Sequence, residues 1–148
     1  MKNSIKKEYP EAGLLIARIH QKGGRLFNRI LAKENMEEFN SAQGRILFVL
    51  WQQDNIPIQT LAERTGLGKS TLTSMLDRLE TENLLMRIPS NEDRRSIIIS
   101  LTQKSRSLQY SYETVSDEMN KLFFNGFSEQ EIKTFESYLL RIDENLNI

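Results

Sequence analysis

Two clusters of side chains in this sequence are equipped to hydrogen-bond a polyanion. Lys69, Ser70, Thr71, Thr73 and Ser74 follow closely on one another, with Arg78 a helical turn further on. Later, Asp93, Arg94 and Arg95 stand side by side. Hydroxyls of Ser and Thr can bond base edges or phosphate oxygens, lysine and arginine neutralise phosphate, and the N–H groups of a helix start favour an anion. The Asp93 carboxylate can hold the Arg95 guanidinium in a fixed orientation. An arginine held out on a narrow ribbon reaches a minor groove, where negative potential concentrates, while Arg94 meets backbone phosphate. Taken singly, each cluster also reads as ordinary surface: a Ser/Thr-rich helix start is common, adjacent arginines are usually just solvated, and Glu92 beside them counts against DNA.

The elements around the clusters decide between these readings. Ile58 to Thr65 reads as a short helix closed by Gly66, and Lys69 to about Glu82 as a second, with Leu72, Met75, Leu76 and Leu79 on one stripe. Ala62 is small where two helices must approach, Gly66 permits a tight turn, and Asn83 supplies a left-handed residue to stop the second helix. The apolar stripe turns inward, so Lys69, Ser70, Thr71, Thr73, Ser74, Asp77 and Arg78 lie on or near the outer side. This is helix-turn-helix logic, with a short, polar, basic first turn suited to a major groove. Leu84 to Thr102 then reads as a β-hairpin, two arms of strand formers around a tip of Pro, Asn and Asp that carries the arginines.

Helices flank this core. Pro10 to about Lys33 repeats Leu14, Leu15, Ile19, Leu26, Phe27, Ile30 and Leu31 near helical spacing, with Gly23 and Gly24 marking a kink or a close helix contact. Asn40 and Gln43 form a capping box for a helix through Trp51, which Asp54-Asn55-Ile56-Pro57 ends in a turn. Thr102 caps a helix to about Phe124, and Ser128 with Glu131 caps a last one to about Leu146. The expected order is α-α-α-α-β-β-α-α: a mainly α fold with a small β-hairpin wing.

Composition is compatible with this reading. The chain has 148 residues, enough for one domain with a real core, and no apolar run approaches the roughly 20 residues of a membrane span. The first residues are basic without an apolar stretch behind them, so no signal peptide is expected and the protein is expected in the cytoplasm. There are no cysteines and one histidine, His20, which removes disulfides, thiolate zinc and cysteine redox sensing and leaves no motif for a metal or other cofactor. The net charge is zero, but its distribution is uneven. Residues 1–45 carry nine basic and five acidic side chains, residues 61–106 eight and six, and residues 107–148 three and eight. A protein can be neutral overall and still present a basic face.

Leu61-Ala62, Leu76-Asp77-Arg78-Leu79-Glu80, Leu84 with Arg87, Asp93-Arg94-Arg95 and Leu101-Thr102 together resemble the signature of the MarR family of transcription regulators. The resemblance runs the length of the chain; Asn83 and Ser105 stand where the family often has Gly. It implies a homodimer whose winged helix-turn-helix cores (about 40–102) are flanked by dimerisation helices (about 1–35 and 103–148), all in one domain. It also implies a pseudo-palindromic double-stranded operator with half-sites about 34 to 36 Å apart, Arg95 as the wing arginine with Asp93 orienting it, and Lys69 to Ser74 as recognition positions. The residues themselves favour dimerisation too: Ile5, Leu14, Ile132, Phe135, Leu139 and Ile142 are more apolar surface than a single arm hides.

The same resemblance implies a repressor that releases DNA when a small aromatic or anionic effector wedges between arm and core. Arg18, His20, Phe48 and Trp51 are candidates for that pocket, although a lone His and a Trp on helices more often pack in a core. A winged-helix protein-interaction module without DNA binding is the alternative. An enzyme is not expected, because no paired carboxylates, nucleophile elbow, phosphate loop or metal spacing occurs.

Overall fold

The computed structural model describes residues 10–148; Ile5 lies outside them. Helix α1 (Ala12–Lys33) buries Ile30 and Leu31 at its C-terminal end, and Asn35 takes the left-handed turn that stops it (φ 57°). Gly23 and Gly24 mark close contacts rather than a break: a β-carbon at Gly23 would sit 3.7 Å from Met119, and one at Gly24 3.5 Å from the Ser41 hydroxyl. Helix α2 (Ser41–Gln52) opens with the Asn40–Gln43 capping box. Its first amide, that of Ser41, donates to Asn28 Oδ1 at 2.7 Å, which pins it to α1.

The stretch from Asp54 to Pro57 is more than a turn. Ile56–Pro57 forms a short strand, β1, ahead of α3 (Ile58–Thr65). After α4 (Lys69–Thr81) come β2 (Leu85–Pro89) and β3 (Ile97–Leu101), and the sheet order is β1-β3-β2, antiparallel throughout. Ile56 pairs with Ile99, and Leu85 with Leu101. A two-residue strand has no periodicity to read, and its proline suggests a turn; the sheet accepts Pro57 because β1 is an edge strand.

Gly66 (φ 69°) and Asn83 (φ 57°) are left-handed, as the turns at the ends of α3 and α4 require. The core lies beneath these turns, where Ile46, Leu47 and Leu50 of α2 meet Leu61, Leu72, Leu76, Leu79, Leu84 and Ile99. Thr102 caps α5 (Gln103–Phe123) and donates to the Asn83 carbonyl at 2.6 Å, joining the end of the wing to the end of α4. The Ser128–Glu131 capping box opens α6 (Glu129–Asn145), which buries none of its residues.

Candidate nucleic-acid interface

Helix α4 carries the candidate reading surface. Leu72, Leu76 and Leu79 hold it to the core, which leaves Lys69, Ser70, Thr71, Thr73, Ser74 and Arg78 exposed. Its N-cap is Gly68, without a side-chain capping bond, so the first amides stay free for an outside acceptor. The Thr73 hydroxyl donates back to the Lys69 carbonyl at 2.8 Å; its lone pairs remain available. Lys69, Ser70, Thr73, Ser74 and Asp77 line one shallow concavity.

Asp77, on the outer side of α4, has another task. Arg87 of β2 donates to Asp77 Oδ1 at 2.6 Å and, through Nε, to Glu80 Oε2 at 3.2 Å. Its backbone amide also donates to Glu80 Oε2, at 3.1 Å. The hydrogen bonds from Arg87 hold the Glu80 carboxyl below its ordinary range, and the Glu80 and then the Asp77 carboxylates raise Arg87. One guanidinium thus fixes the wing against α4.

At the wing tip Arg94 and Arg95 are exposed, and neither forms an ion pair among the described residues. The expected brace is present in a different form. Asp93 Oδ1 accepts the backbone amide of Arg95 at 3.0 Å rather than its guanidinium. Ser96 N donates to the Asp93 carbonyl and Ser90 N to the Ser96 carbonyl, both at 3.0 Å. The carboxylate is taken up by the turn, as Asp commonly is two residues before an amide. It sets where the Arg95 backbone leaves the ribbon and leaves the guanidinium unbound.

Asp54 was not singled out in the sequence as more than a turn residue. Its Oδ1 accepts the Leu101 amide at 2.9 Å and its Oδ2 pairs with Arg106. The end of α2, the end of the wing and the first turn of α5 therefore meet on one carboxylate.

The candidate effector residues do not come together. His20 lines a cavity of about 580 Å³ with Arg45, Tyr112, Phe27 and Glu136, bounded by α1, α2, α5 and α6. An adjoining apolar cavity of about 400 Å³ shares Ile19, Gly23, Met119 and Phe135. Arg18 and Phe48 are exposed and line neither. Trp51 packs instead on Tyr112 (4.9 Å between ring centroids) and donates to the Ser105 carbonyl at 3.1 Å. Trp51 is half-buried at the edge of the core face of α2, whereas Phe48, one turn earlier, stays exposed. Arg45 and Tyr112 were missed, though a cation amid the apolar residues of α2 was a signal for the former. Burial raises the Tyr112 phenol above its ordinary range.

A three-helix core around a helix-turn-helix, with a hairpin fixed to the second of its helices, defines a winged helix-turn-helix protein. A model of the MarR family matches residues 39–97. The organic hydroperoxide resistance transcriptional regulator of Bacillus subtilis is 31% identical over 101 residues, covering 68% of this chain and 67% of that one. A crystal structure of MarR superposes with a TM-score of 0.72 at 26% identity, over 93% of this chain and 97% of the other. A mutant MarR from E. coli complexed with operator DNA gives a TM-score of 0.77 at 24% identity, over 88% and 91%. The chain belongs to the MarR family of transcriptional regulators.

Proposed function

We propose that this chain binds double-stranded DNA as a homodimer at a pseudo-palindromic operator and represses transcription there, in the cytoplasm and without enzymatic chemistry. One observation carries the reading. The cations of α4 and of the wing tip, Lys69, Arg78, Arg94 and Arg95, stand exposed and outside the ion pairs of the described residues, whereas Arg87 between them is consumed in fixing their relative placement. Operator DNA bound to a protein of the same fold supports it. In this reading Lys69, Ser70, Thr71, Thr73, Ser74 and Arg78 meet the major groove and its phosphates, Arg95 enters the minor groove, and Arg94 meets backbone phosphate.

The cavity beside His20, Arg45 and Tyr112 has the size of a small-molecule site and an apolar wall with a few polar groups, which supports release of DNA by a small aromatic or anionic effector. With no cysteine in the sequence, cysteine oxidation is not the trigger. The test is a mobility-shift assay on the promoter of the chain's own gene cluster and on duplexes enriched from a random pool. Retarded bands that fade with rising salt are expected. If no duplex binds at low salt, the fold serves protein interaction instead.

A further inference from the structure

The chain's charges are sorted between its first and last helices. Helix α1 contains no Asp or Glu, and Arg18, Lys22, Arg25, Arg29 and Lys33 follow one another at spacings of four, three, four and four. Those spacings place all five on one face, along about 22 Å of helix, and all five are exposed. Helix α6 bears the complement. Glu129, Glu136 and Asp143 recur every seven residues over about 21 Å, are exposed, and border the apolar row of Ile132 and Leu139 along one edge, with Lys133 the single cation beside them. No ion pair among the described residues uses any of the eight.

The two stripes do not face each other within one chain. Helices α1 and α6 share cavity walls through Ile16, Ile19 and Gly23 on one side and Phe135 and Leu139 on the other. The basic stripe lies roughly a third of a turn around α1 from that side, at 3.6 residues per turn. Yet both stripes border the apolar surface, Lys22 at the smaller cavity and Glu136 at the larger. An apolar row flanked by charges of fixed sign is how paired helices choose a partner and an orientation. We propose that the basic stripe of α1 seats the acidic edge of α6 from a second copy of the chain, closing the dimer with an electrostatic seam beside its apolar contact. This rests on the homodimer reading above and adds what steers and holds it.

Charge exchange tests the seam. Arg25→Glu with Arg29→Glu in one chain, and Glu136→Lys with Asp143→Lys in another, should each raise the dimer dissociation constant about tenfold or more at low salt, because like charges then meet. An equimolar mixture should recover a tight heterodimer, read by native mass spectrometry. A statistical mixture, with the heterodimer about twice as abundant as each homodimer, at wild-type affinity would overturn the proposal. A salt series on the wild-type chain needs no variant: the dimer should weaken between about 50 and 500 mM NaCl as the Debye length contracts. A dimer indifferent to salt overturns the seam alone. A chain that stays monomeric at every salt concentration overturns both the seam and the homodimer reading.

Discussion

At the scale of single residues, the arginines divide by what already holds them. Arg87 has two carboxylates, and Arg106 has Asp54; Arg94 and Arg95 have none among the described residues. Arg95→Ala and Lys69→Ala should therefore each cost roughly 1–3 kcal/mol of operator binding while leaving the dimer mass unchanged in light scattering. Unaltered affinity in both variants would remove the wing and α4 from the interface. The turn at Asp93 predicts a graded series: Asp93→Asn keeps an acceptor for the Arg95 amide and retains DNA affinity, whereas Asp93→Ala loses it. Equal behaviour of the two would show that the turn bond does not place Arg95. Glu80 gives a pH prediction. Its folded-state pKa is depressed, so its contribution to stability is present above the ordinary carboxylate range and is lost as pH falls through the folded-state value. With the Glu80 side chain 42% exposed the contribution is small, roughly 0–1 kcal/mol, and Glu80→Gln should flatten the acid limb of the thermal-melting profile. An unchanged acid limb would show that the pair contributes nothing.

The elements show what was legible before the structure was known. Helices α3 and α4 follow from the leucine stripe and the two left-handed stops, and both capping boxes appear where Asn40 and Ser128 announce them. Strand β1 was illegible, because two residues make no period and the sheet that uses them is completed by β3, more than forty residues away. The candidate effector cavity was only partly legible for a related reason. His20 lies on a cavity wall, but Arg45 and Tyr112 reach the same cavity from α2 and α5, and no local pattern says which faces of separate helices meet. The Asp93 contact was misjudged in form, since residue type suggests a carboxylate–guanidinium pair while the turn supplies a nearer amide. The junction of α2 with α5 yields its own prediction. A β-carbon at Gly44 would lie 2.9 Å from the buried Tyr112 ring and 3.4 Å from Phe39. Gly44→Ala should thus lower the melting temperature, overpacking costing about 1–3 kcal/mol against about 1 kcal/mol gained in helix propensity. A melting temperature equal to or above wild type would mean that the aromatic cluster yields freely.

For the whole molecule, the distribution of charge matters more than its zero sum. The cations of α4 and the wing tip stand outside the ion pairs of the described residues, α6 carries five acidic against two basic side chains, and no residue of α6 is fully buried within its own chain; an amphipathic helix in that state needs a partner. A single wing and a single recognition helix make few phosphate contacts, and two copies held at a fixed spacing double them. The most direct test is fluorescence anisotropy of a labelled, selected duplex titrated with the full-length chain across a salt series, with the mass of the complex read in parallel. The expected result is two chains per duplex and an affinity that falls steeply, by about a hundredfold or more, between roughly 50 and 200 mM salt. A complex with one chain, an affinity indifferent to salt, or no binding at the lowest salt would contradict dimeric recognition of DNA by this fold.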